Sequence, residues 1–253
     1  MNGKPAIFLT AEWKHLVMLN YAADSDTIQA LRELTPPGTE LDSWNGKVLV
    51  SMVGFLFLNT RLLKIPVPFH RDFEEVNLRF YVRRRQGSEW RRGVVFVREI
   101  VPLRAVATLA RLCYGEKYMA TRMSHRVVPP SSPSSSSFTP IGGADYQWLH
   151  KGRFCSVSAK FSGIPELPAA GSEQEFITEH YWGYSGRIRR PTLEYEVEHP
   201  RWRVWNALEP VLDCDPATLY GPRFQSTLSA APSSAFVAEG SPVSVRWGTP
   251  VLS

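Results

Sequence analysis

The chain has 253 residues, of which 43% are hydrophobic and 21% charged, and it carries a formal net charge of +5. These values are ordinary for a globular protein and exclude disorder over most of the chain, while the length allows one large domain or two small ones. No apolar run reaches the ~18–20 residues of a membrane-spanning helix, and the N-terminus lacks a secretion signal, so the composition predicts a cytoplasmic protein with no membrane partner.

The N-terminal part of the chain predicts several strands and one helix. The mostly apolar stretch Trp13–Tyr21 is typical of a strand. Asp24-Ser25-Asp26 then offers N-cap side chains for a helix with apolar residues at three-residue spacing from Ile28 to Leu34, and Pro36-Pro37-Gly38 ends it. Asn45-Gly46 is a strong hairpin signal. Further strands are predicted at residues 39–43, 47–58, 73–85 and 92–100.

The middle of the chain contains a low-complexity segment between predicted strands. Pro102 begins a predicted helix that ends at Gly115. Strands are predicted at residues 117–128, 146–150 and 153–161. The Pro- and Ser-rich segment 129–145 cannot bury enough apolar area to offset its ordering entropy, so we interpret it as an enlarged, flexible hairpin loop. The sequence therefore predicts one domain over residues 1–253.

The C-terminal part predicts two more strands, a helix and a tail. Strands are predicted at Glu175–Trp182 and at Arg187–His199, where apolar and acidic residues alternate. Pro200–Leu208 is amphipathic and is predicted to be a helix. A Pro- and Ser-rich tail begins at about residue 225 and holds one last strand candidate, Pro242–Trp247.

The most informative segment is the strand from Phe73 to Arg83, because one of its faces is polar. Side chains alternate along a strand. One face therefore carries Glu75, Asn77, Arg79, Tyr81 and Arg83. The other face is apolar and must pack on a core, with Val76, Leu78, Phe80 and Val82. The polar face suits either a sheet with one face in water or the interior of a barrel that holds a small polar ligand.

The basic residues cluster in three places. The clusters are Arg83-Arg84-Arg85, Arg91-Arg92, and Arg187 with Arg189-Arg190. Arginines beside a hairpin tip are most often a solvated rim. Binding of nucleic acid is a further hypothesis, but the chain lacks a known nucleic-acid motif and aromatics interleaved with the arginines, so nucleic acid is not the expected partner.

The sequence predicts neither a metal site nor a cofactor. The histidines are scattered without HExxH or comparable spacing. There is no GxGxxG, P-loop or GxSxG motif. Cys113, Cys155 and Cys214 are widely spaced and form no CxxC pair, so we expect buried thiols in a reducing compartment rather than a disulfide framework.

Several runs resemble the YqjF-like proteins, a domain of unknown function (family 2071). The runs are Ser51-Met52-Val53-Gly54-Phe55, Phe69 to Arg79, Arg92-Gly93-Val94-Val95-Phe96, and Phe176-Ile177-Thr178-Glu179-His180-Tyr181. The resemblance extends from about Trp13 to Arg223, and Glu75 to Arg79 is its most specific part. The family is similar in fold to acetoacetate decarboxylase. The resemblance therefore implies an α+β, mostly β protein built on a curved, closed, cone-shaped barrel with a polar pocket and a few flanking helices.

The resemblance also implies where chemistry would lie. In acetoacetate decarboxylase one lysine forms a Schiff base with a β-keto acid, and an adjacent second lysine lowers its pKa. Lys117 matches the first position, but Tyr118 stands at the second, and Glu116 would raise the pKa of Lys117. Glu75 matches a carboxylate of that pocket. The carboxylate therefore carries over better than the nucleophile, and Lys117 is expected to form no imine.

Together these observations predict a pocket for a small carbonyl or carboxylate metabolite, with lyase or hydratase chemistry on a keto acid if the protein is an enzyme. Glu75 is the predicted acid–base residue, and Arg79 or Arg71 would hold a carboxylate. The other predicted ligand-binding residues are His70 at the pocket mouth, Asn77, Tyr81 and Tyr118. The alternative is a non-catalytic binding or sensor module that uses the same pocket. The sequence leaves the ligand and the oligomeric state open.

Overall fold

The computed structural model describes residues 3–66, 71–102, 118–130, 141–187 and 190–251, and strands dominate these ranges. The strands are β1 Ile7–Ala22, β2 Glu40–Leu41, β3 Leu49–Leu62, β4 Ile65–Pro66, β5 Phe73–Gln86, β6 Glu89–Val101, β7 Tyr118–Ala120, β8 Met123–Val128, β9 Ile141–His150, β10 Arg153–Ser162, β11 Trp182–Arg187, β12 Arg190–Glu198, β13 Val204–Asp213, β14 Ser234–Arg246 and β15 Thr249–Pro250. The helices are α1 Ser25–Leu34, α2 Glu173–Thr178, α3 Pro216–Tyr220 and α4 Gln225–Ser229, with a 3₁₀ turn at Pro222–Phe224.

Seven of the strands close into a barrel. Their order around the ring is β12, β11, β6, β5, β3, β1 and β14, and β14 pairs back with β12. The closing pairs are Val197 with Val245 and Glu198 with Ser244. Only the β6–β11 pair within this ring is parallel. The expected mostly-β closed barrel is therefore confirmed.

A second sheet covers one side of the barrel. Strand β13 pairs with β14 and continues through β10 and β9 to β8. The layer between this sheet and the barrel wall is apolar and includes Phe80 from the wall and Tyr146 and Trp148 from the second sheet. The two sheets approach closely at Gly54, where an added Cβ would lie 2.7 Å from side-chain atoms of Tyr146 and Val157. Glycine is required there because any side chain would force the sheets apart.

The barrel interior is a second, separate core. Its apolar members come from the barrel strands around the ring, for example Met18 on β1, Phe55 on β3 and Phe236 on β14. Phe176 and Ile177 of α2 belong to the same cluster, so this short helix plugs one end of the barrel. Each barrel strand therefore has one face toward the interior and one toward the covering layer or solvent.

Several local predictions are confirmed. The Asp24 carboxylate accepts a hydrogen bond of 2.8 Å from the backbone N–H of Thr27 and caps α1. The hairpin at Asn45-Gly46 is bounded by reciprocal backbone hydrogen bonds of 3.0 and 2.9 Å between Trp44 and Lys47. The strand that was predicted to begin at Phe73 does begin there, and it extends to Gln86.

The strand predicted at Glu175–Trp182 is wrong. Residues Glu173–Thr178 form α2, and strand β11 begins only at Trp182. The Ser172 hydroxyl accepts a hydrogen bond of 3.1 Å from the backbone N–H of Glu175 and caps the helix. Ser172 followed three residues later by Glu175 is a helix-start pattern, and this local signal outweighs the β propensity of the residues that follow.

The helix predicted at Pro200–Leu208 is also wrong. Residues Val204–Asp213 form strand β13, which pairs with both β10 and β14. Trp202 and Val204 are buried while Arg201 and Arg203 are exposed, which is a period of two rather than 3.6. The apolar residues that suggested a helical face instead pack on two different neighbours.

Four further predictions are modified or fall outside the described ranges. The strand predicted at residues 117–128 divides into β7 and β8. The last strand candidate, Pro242–Trp247, is the end of the longer β14, so most of the segment after residue 225 is helix or strand. The predicted helix after Pro102 and residues 131–140 of the Ser/Pro-rich loop lie outside the described residues. The loop is shorter than the predicted 129–145, because β9 begins at Ile141. The described part of the chain holds no helix of the length and apolarity needed to cross a membrane.

Candidate functional site

The polar face of β5 lies inside the barrel. Glu75, Asn77, Arg79 and Tyr81 are 3%, 2%, 8% and 0% exposed. Across the ladder, Phe55, Val53 and Ser51 of β3 face the first three of them. We call these four side chains the polar row. Because all four are buried, the polar face is not a solvated sheet surface.

Arg83 continues the alternation but lies at the rim, where its side chain is 37% exposed and pairs with Glu40.

Glu75 lies at one end of the polar row, and each of its carboxylate oxygens accepts a hydrogen bond. The Asn77 side-chain amide donates to Oε1 at 2.9 Å, and the Tyr118 hydroxyl donates to Oε2 at 3.4 Å. Burial raises the pKa of Glu75 to about 7, although Asn77, Tyr118 and the Arg79 charge all favour the carboxylate. A carboxyl with this pKa can both give and take a proton near neutral pH.

A second buried carboxyl, Glu99, adjoins this group. Glu99 lies on β6 directly across from Asn77 and is 2% exposed. It hydrogen-bonds Tyr118, and burial together with the charges of Glu75 and Glu99 raises the pKa of Tyr118 well above its usual value. Tyr118 therefore stays protonated as a donor between the two carboxyls. Sequence reasoning missed Glu99, although the alternation of β6 beside the polar row could have indicated it.

Arg79 is a buried cation that forms no ion pair with the described residues, although its charge acts on Glu75. Its Nη2 lies 3.4 Å from the carbonyl oxygen of Ile177 and 4.0 Å from Sδ of Met18. Its Nε has no hydrogen-bond partner among the described residues. No ion pair of Arg79 occurs within those residues either. A buried charge is costly unless it is paired. An anion bound next to this guanidinium would therefore stabilise it, as at an anion-binding site.

Tyr81 belongs to a chain of hydrogen bonds within the protein. Its hydroxyl and that of Ser51 are 2.6 Å apart, and Ser51 donates to Oδ1 of Asn20 at 2.6 Å. Asn20 in turn donates to Ser234 at 3.0 Å, and Ser234 donates to Glu173 at the start of α2. Because the Ser51 proton goes to Asn20, Tyr81 must donate to Ser51. The hydroxyl of Tyr81 therefore links the barrel wall to α2, and its oxygen can still accept a hydrogen bond.

A buried histidine and aspartate close the α2 end of the barrel. His180 Nε2 lies 3.6 Å from Oδ2 of Asp42, which also pairs with Arg92 at 3.0 Å. The His180 ring packs on Tyr81 and Phe176, with ring centroids 4.7 and 4.9 Å apart. Burial lowers the pKa of His180 below its usual value, against the opposing effect of Asp42, and so favours the neutral ring. For Asp42, burial opposes ionisation, but His180 and Arg92 outweigh it and lower its pKa.

Comparison with known proteins decides the family. The model of DUF2071, described as an uncharacterized conserved protein, matches residues 10–242. The chain belongs to the DUF2071 family. The uncharacterized protein YqjF of Bacillus subtilis is 38% identical over 197 residues, which are 77% of this chain and 74% of that protein.

Solved structures resemble this DUF2071 chain in fold. An acetoacetate decarboxylase from Legionella pneumophila has a TM-score of 0.67 and 12% identity, covering 100% of this chain and 90% of that one. An acetoacetate decarboxylase-like enzyme from Sphingomonas wittichii has a TM-score of 0.64 and 13% identity, with coverage of 98% and 94%. The enduracididine biosynthesis enzyme MppR, complexed with pyruvate, has a TM-score of 0.64 and 14% identity, with coverage of 97% and 90%. At these identities the likeness shows the fold, and it confirms the expected barrel type.

The structure separates the other predicted site residues of this DUF2071 protein. Arg71 is exposed, and its Nη2 donates to Oδ1 of Asn59 at 2.9 Å, so it lies at the surface rather than in the polar row. His70 and Lys117 lie outside the described residues. The polar row itself gathers Glu75, Asn77, Arg79 and Tyr81, and Tyr118 joins it from β7. Of the predicted set, these five are therefore brought together.

The arginine clusters are engaged in ion pairs and ring contacts. Glu194 is buried and pairs with both Arg84, at 3.2 Å, and Arg91. Arg83 stacks over Trp90, with its guanidinium carbon 4.4 Å from the ring centroid. These charges neutralise carboxylates of the protein, which reduces what they can offer to phosphate groups. Nothing is described for the side chains of the third cluster.

Two further features of the described residues lie apart from the polar row. An open surface cleft of about 490 Å³ is lined in part by Lys14, His15, Trp205 and Glu239, and no residue of the polar row lines it. No group of three or more His, Cys, Asp or Glu side chains in the described ranges is arranged to hold a metal ion.

Proposed function

We propose that the barrel interior binds a small metabolite with a carbonyl and a carboxylate group. The observation that carries the proposal is Arg79, a buried guanidinium with an unpartnered Nε and no carboxylate paired to it among the described residues. A ligand carboxylate would supply the missing anion and could accept two parallel N–H bonds from the guanidinium. Asn77 would add a polar contact, because its Oδ1 has no partner among those residues and can accept a hydrogen bond.

Glu75 is the group that would transfer protons to and from this ligand. Its pKa of about 7 lets it act as acid or base without a large free-energy cost in either direction. Such a carboxyl supports lyase or hydratase chemistry next to a carbonyl. In these reactions one proton is removed from a carbon or oxygen of the substrate, and another proton is then added to the substrate. No step requires an amine nucleophile, in keeping with the uncharged Tyr118 in place of a second lysine.

Two structural neighbours support the same ligand class. One is an acetoacetate decarboxylase and the other is MppR complexed with pyruvate, and acetoacetate and pyruvate each contain a carbonyl and a carboxylate. With 12% and 14% identity these neighbours suggest a ligand class for the proposal and nothing finer.

A thermal-shift panel tests binding. The purified chain is melted with pyruvate, acetoacetate and longer 2-keto acids, each beside its uncharged amide or ester. A ligand at about 100 times its Kd stabilises the folded state by roughly 2.7 kcal/mol, so a binder raises the melting temperature clearly. We expect at least one free acid to do so and its uncharged partner not to. Equal shifts with acid and amide, or no shift with any acid, would contradict a carboxylate site.

Proton exchange separates catalysis from binding alone. The best ligand is incubated with the protein in heavy water, and loss of its carbon-bound α-proton is followed by proton NMR. We expect exchange with the wild type and a loss of about 100-fold or more in Glu75→Gln, the usual scale of general acid–base catalysis. Binding without exchange in the wild type would favour the sensor alternative. Exchange that survives Glu75→Gln would remove Glu75 from its proposed role.

A further inference from the structure

Two of the three cysteines lie close to the same end of the β10–β13 ladder, Cys155 on β10 and Cys214 directly after the last residue of β13. In this antiparallel ladder Ser156 pairs with Asp213 and Val157 with Leu212. Extended by one residue beyond the end of β13, the same register places Cys155 opposite Cys214. Both side chains point into the apolar layer between the second sheet and the barrel, where Cys155 is 3% exposed and Cys214 is half-buried.

Both cysteines are free thiols in the structure, and the general spacing of facing residues suits a disulfide. Facing residues of an antiparallel ladder have Cα atoms about 4.5–5.5 Å apart, and disulfides span about 4.4–6.8 Å between Cα atoms. The two thiols also interact electrostatically. After burial, the Cys155 thiol makes the largest contribution to the raised pKa of Cys214. An exposed ion pair between Arg153 and Asp213 also joins these two strands beside the cysteines.

We propose that Cys155 and Cys214 form a reversible intrachain disulfide by exchange with a small disulfide of the glutathione type. The half-buried Cys214 is the entry point. Its thiolate attacks one sulfur of the small disulfide, which releases one small thiol and leaves a mixed disulfide on the protein. Cys155 then loses its proton and attacks the Cys214 sulfur, which releases the second small thiol. The two protein thiols lose two electrons in total, and the small disulfide gains them.

The surroundings make this exchange slow near neutral pH. Burial raises the pKa of Cys214 to about 12 and also raises that of Cys155. Because the thiolate is the attacking species, the rate is expected to rise about tenfold per pH unit in the range below these pKa values. Once formed, the disulfide would connect two adjacent strands and cross-link residues 155–214 in the unfolded chain.

The experiment incubates the full chain with oxidised glutathione at about pH 7 and about pH 9, blocks free thiols under denaturing conditions, and maps the peptides by mass spectrometry. We expect a Cys155–Cys214 peptide to form faster at the higher pH and the melting temperature to rise by about 5–10 °C. In Cys155→Ser the reaction should stop at a glutathione adduct on Cys214, whereas Cys214→Ser should leave Cys155 largely unmodified.

The remaining outcomes overturn the proposal. A link that involves Cys113, which lies outside the described residues, or a link between two chains would show that the facing pair is not the reactive one. A glutathione adduct on wild-type Cys214 that never closes would show that the geometry is unsuitable. No product at either pH, with full reaction after denaturation, would show that the buried pair is closed to exchange. Cys113→Ser serves as the matched control and should still form the Cys155–Cys214 link.

Discussion

At the residue scale, the ionisation of Glu75 is expected to make the stability of the protein depend on pH. Its pKa is 4.5 in the absence of structure and about 7 in the folded protein. The folded state therefore binds more protons between these values, and the free energy of unfolding falls as pH rises from about 4.5 to about 7. The loss of stability that comes from ionising Glu75 is complete above about pH 7 and absent well below pH 4.5.

The substitution Glu75→Gln removes this pH dependence. Since one pKa unit corresponds to about 1.4 kcal/mol, wild type should lose on the order of 3 kcal/mol relative to the variant across this window. Urea melts at a series of pH values measure the difference. A difference that stays constant from pH 4 to 8, about the span of this titration, would show that Glu75 titrates as if exposed.

Arg79 is expected to cost stability in the absence of a ligand. Because no anion pairs with it among the described residues, Arg79→Met should leave the ligand-free protein as stable as wild type, or more stable by about 1 kcal/mol. Arg92→Met is the contrasting variant. It removes a 3.0 Å partner of buried Asp42 and should destabilise by about 1–3 kcal/mol. If Arg79→Met destabilises as much as Arg92→Met, Arg79 has a structural partner, and its assignment as a ligand group loses its main support.

The polar row was predictable from sequence, but its partners were not. Period-two alternation in residues 73–83 identifies Glu75, Asn77 and Arg79 as sharing a face. It does not say that β3 flanks this strand, so Ser51 was missed, because that pairing depends on register between segments that no short turn joins. Glu99 lies on β6, which follows β5 after a short turn, so the alternation of β6 could have indicated it.

At the element scale, the hydrogen-bond chain through Ser51 joins β1, β3 and β5. Ser51→Ala leaves Tyr81 and Asn20 without their 2.6 Å partner inside the barrel. We expect a loss of about 1–3 kcal/mol in the free energy of unfolding, because buried polar groups without partners are costly. Ser124→Ala, on an exposed position of β8, should change stability by less than about 0.5 kcal/mol. Equal effects of the two variants would contradict a buried network.

The two wrong elements also show what local sequence can and cannot supply. Helix α2 was predictable, since Ser172 and Glu175 have the spacing of a helix start, and the error came from giving the aromatic and β-branched residues after them more weight. Strand β13 was harder to predict. Its residues are amphipathic in either conformation, and pairing with β10 and β14 decides between the two.

At the scale of the whole molecule, strands from the two halves of the chain interleave. Strand β1 pairs with β14 along most of its length, β6 pairs with β11, and β8 pairs with β9. A specific protease site placed within residues 131–140 should therefore yield two fragments that co-elute and unfold together. Fragments that separate without denaturant and stay folded would show instead that the chain consists of two domains.

The most direct test of the proposed site is the affinity of a 2-keto acid for three proteins. Calorimetric titration compares wild type, Arg79→Met and Arg83→Met, where the two variants lose the same charge from the same strand but Arg83 lies at the exposed rim. We predict that Arg79→Met weakens binding by about tenfold or more, the scale of a charge-assisted hydrogen bond, and that Arg83→Met leaves the Kd within about twofold of wild type. An unchanged Kd in Arg79→Met would contradict binding in the barrel interior.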